Sequence, residues 1–436
     1  MKTDVVVIGA GAAGLAAARE LGACGKRTLL LEARERAGGR MYGVRDPRSP
    51  VPLELGAEFV HGAPSQTLRL LREMGTTRCD VPESRAEVRN SEIVTNVNIE
   101  AQLEALLECV PRLDGDMSVE AFLQDFGTRP EFVEASRRMR LMVEGFDASD
   151  PAVASVQAIA QEWAGDAGAG SAESRPVGGY GPVVEHLVRS LDAGFVESLF
   201  GAVVESIAWK RGAVRVCATH EEEKIEVEAR AAVVTLPLGV LQLQGESAVR
   251  LDPELPAVRR CAIDALAMGP VLKAVMVCSE PVWESVHDDA LCDVAFMHGE
   301  DAPFPALWTS LPMRSSTLVA WAGGPHAAAL GSASNEELYA CVLESVRRIL
   351  GQSARDAVQT IYVHDWQRDR FARGGYSYVK VGGMGAREQL AAPLDETLFF
   401  AGEATALRGE AGTVGGALES GVRAAREVCA ALKEAR

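Results

Sequence analysis

VVVIGAGAAGLAAARELG (5–22), answered at 29–40 by LLLEARERAGGR, is the stretch that decides the fold. Residues 4–8 hold a short β-branched run of high strand propensity. Gly9, Gly11 and Gly14 then supply GxGxxG, small residues continue as a closely packed helix, and a second strand, Thr28 to Leu31, ends in Glu32. This is the βαβ opening of a dinucleotide-binding unit. Gly9 permits a tight turn, Gly11 lets a pyrophosphate approach the backbone, and Gly14 lets the helix pack closely. The helix N-terminus offers free N–H groups to phosphate. Glu32 suits the adenosine ribose hydroxyls and disfavours an extra ribose phosphate. Gly38-Gly39-Arg40 would bring a guanidinium to the same diphosphate, and Arg34 would sit near the adenine side, although a surface basic cluster has the same composition. Each glycine alone reads as an ordinary turn. The ordered set does not.

Outward from this unit the chain alternates in character. ELGAEFVHG (54–62) is a turn region, followed by the amphipathic helix QTLRLLREMG. From about 76 to 200 the sequence is acidic and helix-rich, with helical-period apolar positions in LEALLECV, VEAFLQDF and PEFVEASRRMRLMVEGF. GDAGAGSAESRPVGGYG (165–181) reads as a loop. VVESIAW, AVRVCAT, KIEVEA and AAVVTL read as a strand meander. Residues 256–362 look like another lobe, with strands VLKAVMVCS, STLVAWA and VQTIYVHDW and a helix ending at Gly351. Glycines then return in the tail.

The 436 residues, 47% of them hydrophobic, predict two or three domains or two intertwined lobes and rule out wholesale disorder. With 44 basic and 61 acidic residues, the net charge of −17 opposes nucleic-acid binding but not a cationic small molecule. The nine cysteines show no CxxC pairs or dense disulfide spacing and read as reduced. Acid and glycines interrupt any signal peptide at the start, and no charge-free apolar run long enough for a membrane span follows. The expected setting is cytoplasmic. The seven histidines form no HExxH and no close ligand cluster, so no metal is expected.

The chain resembles the flavin-containing amine oxidases: monoamine oxidase, polyamine oxidase and the catalytic domain of lysine-specific histone demethylase. The resemblance runs in order through the two opening segments, ELGAEFVHG (54–62), VGGYGPVVEHL (177–187), VVTLPLGVLQ (233–242), LKAVMVCSEPVW (272–283), DWQRDRFARGGYSY (365–378) and LFFAGEATALRGEAGTVGGALESGVRAA (398–425). It implies an α/β fold with an α+β substrate lobe. A Rossmann-like FAD-binding domain of the glutathione-reductase type would comprise 1–75, 201–255 and 363–436. A mixed-sheet and helical substrate domain would comprise 76–200 and 256–362.

For the cofactor, the resemblance implies FAD held by Gly9, Gly11, Ala13, Gly14, Glu32, Ala33, Arg34, Gly39 and Arg40. Gly56, Ala57 and Glu58 would approach the flavin. The Val204 backbone would recognise adenine, and Gly402 and Glu403 would bind the pyrophosphate or ribityl end. Thr413, Val414 and Ala417 would frame the flavin pyrimidine edge, with Trp366 packed near the ring system.

Lys273 matches the family's catalytic lysine, which reaches the flavin N5 through a water. An amine within an apolar strand is costly unless paired, hydrated or neutral. Tyr376 matches a tyrosine of the substrate cage. The residue before it, where monoamine oxidases carry a flavin-linked cysteine, is Gly375, which implies non-covalent FAD. Thr413 replaces the second cage tyrosine, which implies a wider channel. His61 and Glu58, with Glu144, would meet a distal amine. The expected reaction is oxidation of a primary or secondary amine to an imine and then an aldehyde, with oxygen reduced to peroxide. A diamine or polyamine is favoured, and a homodimer is allowed. The alternatives are an L-amino-acid oxidase, for which Arg137, Arg138, Arg140 and Arg314 are available as carboxylate anchors, and a catalytically silent flavin-binding scaffold.

Overall fold

In a computed structural model, which describes residues 1–89, 92–95, 100–165, 167–168, 171–286, 289–407 and 409–434, Val5–Ile8 is the central strand of a five-stranded sheet. The strand order is Val196–Leu199, Thr28–Leu31, Val5–Ile8, Ala231–Val234, Leu398–Phe400, and every pairing is parallel. The inner three strands are buried along their whole length, which is why they read as unbroken apolar runs and not as alternating ones. One face is covered by the helix Ala12–Ala23, which packs on the long helix Val414–Glu434. These two helices approach closely because both are small-residue at the crossing: a Cβ on Gly421 would run into the Ala13 carbonyl.

The other face packs on a four-stranded sheet containing Val203–Lys210, Ala213–His220, Glu223–Ala229 and Arg250–Asp252. The first three are the expected meander. Ala231–Val234 leaves it and joins the parallel sheet beside Val5–Ile8. Its four residues are all buried, so only a central parallel position covers both faces.

A seven-stranded sheet forms the second large layer. Its order is Val358–Asp365, Val271–Cys278, Thr317–Gly323, Ala306–Thr309, Phe296–His298, Arg85–Arg89, Glu92–Thr95. One face packs Leu272, Ala274, Met276, Leu307, Leu318 and Ala320 against the helix Asn335–Leu350. The opposite face carries Lys273 and most of the aromatic side chains described below. A separate helical cluster, including Val119–Asp125, Val133–Gly145 and Val156–Trp163, closes the same region.

The stretch 165–181 is not wholly loop. Glu173–Pro176 is the central strand of a small sheet between Val60–His61 and Arg78–Asp80. Its residues have poor strand propensity, and pairing on both sides overrides that preference. The architecture is therefore α/β with a mixed-sheet and helical second lobe. Among the described residues, no helix is long and apolar enough to cross a membrane.

Candidate active site

A cavity of about 940 Å³ runs from the C-terminal ends of the parallel strands to the Lys273 face of the seven-stranded sheet. Its first part is made of turns. Gly9 has φ +105°, and a Cβ on Gly14 would run into the Gly9 carbonyl, so the turn and helix start tolerate only glycine at these two positions. The Gly38–Arg40 turn is laid on it, through the Gly38 N–H to the Ala10 carbonyl at 2.8 Å and a backbone bridge between Gly11 and Gly38. Glu32 is buried and accepts from the backbone N–H groups of Ala10 (2.6 Å) and Arg34 (2.9 Å). Ala13, Ala33, Gly39, Ala57 and Val204 line the same space, whereas Gly14 lies behind it. Val204 adjoins a bulge in its strand pairing, where ladder bonding is interrupted.

Arg40 reaches across the middle of the cavity, donating to the Gly375 carbonyl (2.7 Å) and to Glu403 (2.9 Å). Burial raises the Glu403 pKa, but Arg40 and Arg387 outweigh it and leave the carboxyl below its usual range. Arg34 faces the cavity but pairs with Asp369 at 2.6 Å. Thr413 caps the helix Val414–Glu434 by accepting from the Gly416 N–H at 2.9 Å, so the cavity meets a second helix start, with Val414 and Ala417 on its wall. Gly11 and Gly402 both face open space: nothing lies within 4 Å of where their Cβ atoms would be.

At the other end Lys273 is almost fully buried, and its Nζ donates to the Gly56 carbonyl (3.0 Å) and to Glu58 (2.7 Å). Glu58 also receives Arg175 Nε at 2.7 Å and Trp308 Nε1 at 3.1 Å. Burial alone would push the Glu58 carboxyl up. Lys273 and Arg175 outweigh it and hold the pKa at about 2. Arg175 arrives on the strand that sequence reading treated as loop, and no local signal marked it.

Trp366 is fixed by Nε1 donation to the Leu55 carbonyl (2.9 Å) and packs on His364 with ring centroids 4.1 Å apart and planes tilted by 56°. Tyr376 donates to the Phe146 carbonyl and stacks on Trp321, centroids 6.5 Å apart and planes 14° off parallel. Burial pushes its phenol pKa well up, so it stays neutral. The Gly375 position is tight, since a Cβ would stand 2.5 Å from Val271 Cγ2.

Of the residues expected to meet a distal amine, all three line the cavity but each has a neighbour of its own. Glu58 is shared by two cations. Glu144 lies 3.6 Å from Arg140 and 3.3 Å from His326. Burial lowers the pKa of His61, Glu173 stands 3.9 Å from its Nδ1, and that nitrogen has no hydrogen-bond partner among the described residues. Phe59, Phe296, Trp308 and Trp321 complete an aromatic wall that sequence reading missed, because it is assembled from separate strands. Among the described residues no cluster of His, Cys, Asp and Glu is placed to hold a metal ion.

The family model for flavin-containing amine oxidoreductases matches residues 12–429. The chain belongs to that family. As a flavin-containing amine oxidoreductase it is 30% identical to polyamine oxidase 2 of Arabidopsis thaliana, over 98% of this chain and 89% of that protein. It is 28% identical to lysine-specific histone demethylase 1 homolog 2 of Arabidopsis thaliana, over 98% of this chain but 58% of that protein. The chain thus spans little more than half the length of that demethylase relative. By fold it is similar to a putrescine oxidase solved with putrescine bound (23% identity, 99% of each chain, TM-score 0.82). It is also similar to the cyclohexylamine oxidase from Brevibacterium oxydans (19% identity, 99% of each chain, TM-score 0.80).

Family and fold imply FAD, and the residues present fit it. Two helix starts aim N–H groups at the cavity, Gly11 and Gly402 leave room for a diphosphate, and Glu32 ends the second strand beside them.

Proposed function

We propose that this flavin-containing amine oxidoreductase oxidises a primary or secondary amine to an imine, with oxygen as electron acceptor. The observation that carries the reading is the convergence, in one cavity, of a dinucleotide cradle with Lys273, Trp366 and Tyr376. FAD would be held by Gly9, Gly11, Glu32, Arg40, Val204, Gly402 and the Thr413–Ala417 helix start. The lobes would be 1–75, 201–255 and 363–436 around the cofactor and 76–200 and 256–362 around the substrate, with the edge strand Val196–Leu199 joining the first. A cytoplasmic setting and a homodimer extend the same reading.

The chemistry the flavin supplies when bound is acceptance of a hydride equivalent from the amine α-carbon and its delivery to oxygen as peroxide. The chain supplies position and dryness. Trp366, locked by the Leu55 carbonyl, and Tyr376, locked by the Phe146 carbonyl, offer fixed ring faces against which an amine is oriented. The aromatic wall excludes water and favours the neutral amine. Among the described residues Glu58 is the one charged partner of Lys273, and the remaining N–H of the ammonium is the donor that would hold a water at the reacting end. Gly375, in place of a flavin-linked cysteine, supports non-covalent FAD.

Anaerobic mixing with putrescine, spermidine, simple monoamines and L-amino acids tests the reaction. Bleaching of the flavin by amines is expected. No bleaching by any amine would leave a scaffold, and bleaching by amino acids alone would leave an amino-acid oxidase. Acid precipitation tests the attachment: free yellow flavin in the supernatant is expected, and a yellow pellet refutes it.

A further inference from the structure

We propose that the corner of the cavity at the far edge of the seven-stranded sheet from Lys273, away from the dinucleotide cradle, is a carboxylate-binding subsite made by Arg85, Arg138 and His298, so that the amine oxidised here carries a carboxylate at its far end. This rests on the amine-oxidation reading, which places the reacting end at Lys273. Two strand registers lay the cavity wall out. Lys273 pairs with Trp321, Trp321 with Ala306 and Ala306 with His298. Val275, Val319, Trp308, Phe296 and Arg85 form the neighbouring row on the same face. Three strand spacings separate Lys273 from His298, about 14 Å.

Between those ends the rings are continuous. Tyr376 stacks on Trp321 (6.5 Å), Trp321 meets Trp308 (5.7 Å), and Trp308 meets Phe296 (6.3 Å). The Arg85 guanidinium then lies 4.9 Å over Phe296. The wall is therefore aromatic in the middle and cationic at the far edge.

The charge there is compensated only in part, by Glu87, which continues the row beside His298 and lies 3.8 Å from Arg138. Among the described residues the Arg85 guanidinium has no ion pair or hydrogen bond, only the Phe296 ring against one face. Arg138, from the helix Val133–Gly145, has among the described residues a single ion pair, with Glu87 at 3.8 Å, and Glu87 is also taken by Arg137. Burial and the nearby Arg85 push the Arg138 pKa down to about 10. His298 Nε2 is buried without a hydrogen-bond partner among the described residues. Burial and the two arginines push its pKa down to about 3, so the imidazole is neutral and carries one N–H to donate. Two guanidiniums short of acceptors beside an unsatisfied imidazole are costly to bury and match the paired oxygens of a carboxylate.

A second ammonium in this corner would meet repulsion. The α-carboxylate of an ordinary amino acid lies too close to its nitrogen to reach this corner, whereas the backbone separation of about 14 Å, less the reach of the side chains, suits a spacer about as long as an octyl chain. The structure therefore points to an amine and a carboxylate separated by a long apolar or aromatic spacer.

Anaerobic flavin reduction with 8-aminooctanoate, octylamine, 1,8-diaminooctane and L-leucine tests this directly. The expected result is a half-saturating concentration for 8-aminooctanoate at least ~10-fold below that for octylamine. Arg85→Met should bring that ratio close to one, and Arg85→Lys should restore part of it. Because a variant can lose its fold, inhibition of the unmodified holoenzyme by octanoate against octanol supplies a second readout, with octanoate expected to be the stronger competitor. Bleaching by octylamine or the diamine as readily as by 8-aminooctanoate overturns the subsite and leaves amine oxidation standing. So does an unchanged ratio in Arg85→Met, or preference for L-leucine. Bleaching by none of the four overturns both.

Discussion

The end of the cavity proposed to hold the dinucleotide is built from backbone, and the end proposed to hold the amine from side chains. At the first, two helix starts, a Gly9–Gly14 turn and the Gly38–Arg40 turn laid over it present N–H groups and empty space. At the second, Lys273, Arg175 and Trp308 come from three separate strands and all donate to Glu58, which lies in a turn. The difference follows from what each end must recognise. A diphosphate is bound by dipoles and close approach, which small residues permit and larger ones block. A reacting amine needs a fixed proton inventory, a dry wall and a selected charge, which only side chains supply.

The first way to break the comparison is to put a side chain where the backbone end needs none. Gly14→Val drives a Cβ into the Gly9 carbonyl and displaces the turn that would receive the diphosphate. Strain of about 3 kcal/mol there corresponds to roughly 100-fold weaker FAD binding. The expected result is protein purified largely without flavin, read from the flavin-to-protein absorbance ratio. Full flavin content in a folded variant would mean that the close approach of helix and turn is dispensable.

A change at the other end should do the reverse. Lys273→Met removes the donor to Gly56 and Glu58 while leaving Arg175 and Trp308 on that carboxylate. Flavin content should be retained and turnover should fall about 100-fold, within the range for losing a positioned proton-handling group. Stopped-flow measurement of reduction and reoxidation separately would show which half-reaction slows. Unchanged rates in both across pH would remove Lys273 from the mechanism.

This division also explains what the sequence disclosed. The backbone end is local: GxGxxG, Glu32 and GGR lie within about one βαβ unit, and each residue type is dictated by its own turn. Lys273 was legible because a lysine in VLKAVMVC breaks an apolar run. Arg85, Arg175, His298 and Trp308 carried no such mark. Each sits in an ordinary short strand, and only the register of the seven-stranded sheet, or the insertion of Glu173–Pro176 between Val60–His61 and Arg78–Asp80, brings it to the cavity. The misreading of 231–234 has a related cause. A buried parallel strand and the last strand of a meander have the same apolar content, and only the partner strand distinguishes them.

The smallest expected effect tests the boundary between the two ends, where ELGAE places two acids four residues apart in opposite environments. Glu58 is held ionised by its cations. Glu54 is buried and accepts from the Tyr180 N–H at 2.8 Å, while its second oxygen has no partner among the described residues. Burial outweighs that hydrogen bond and the nearby Lys273, and the Glu54 pKa rises from the ordinary 4.5 to about 7. The folded state then binds a proton that the unfolded chain has lost, so this contribution to stability is complete below pH 4.5 and is lost as pH rises through about 7. A shift of that size is worth up to about 3 kcal/mol. Glu54→Gln keeps an acceptor for Tyr180 and removes the titration. Thermal unfolding of the holoenzyme from pH 5 to 8 should show the parent losing stability relative to the variant as pH rises. Parallel curves would mean that Glu54 is already ionised in the folded protein, and that the charged region extends into the backbone-built end.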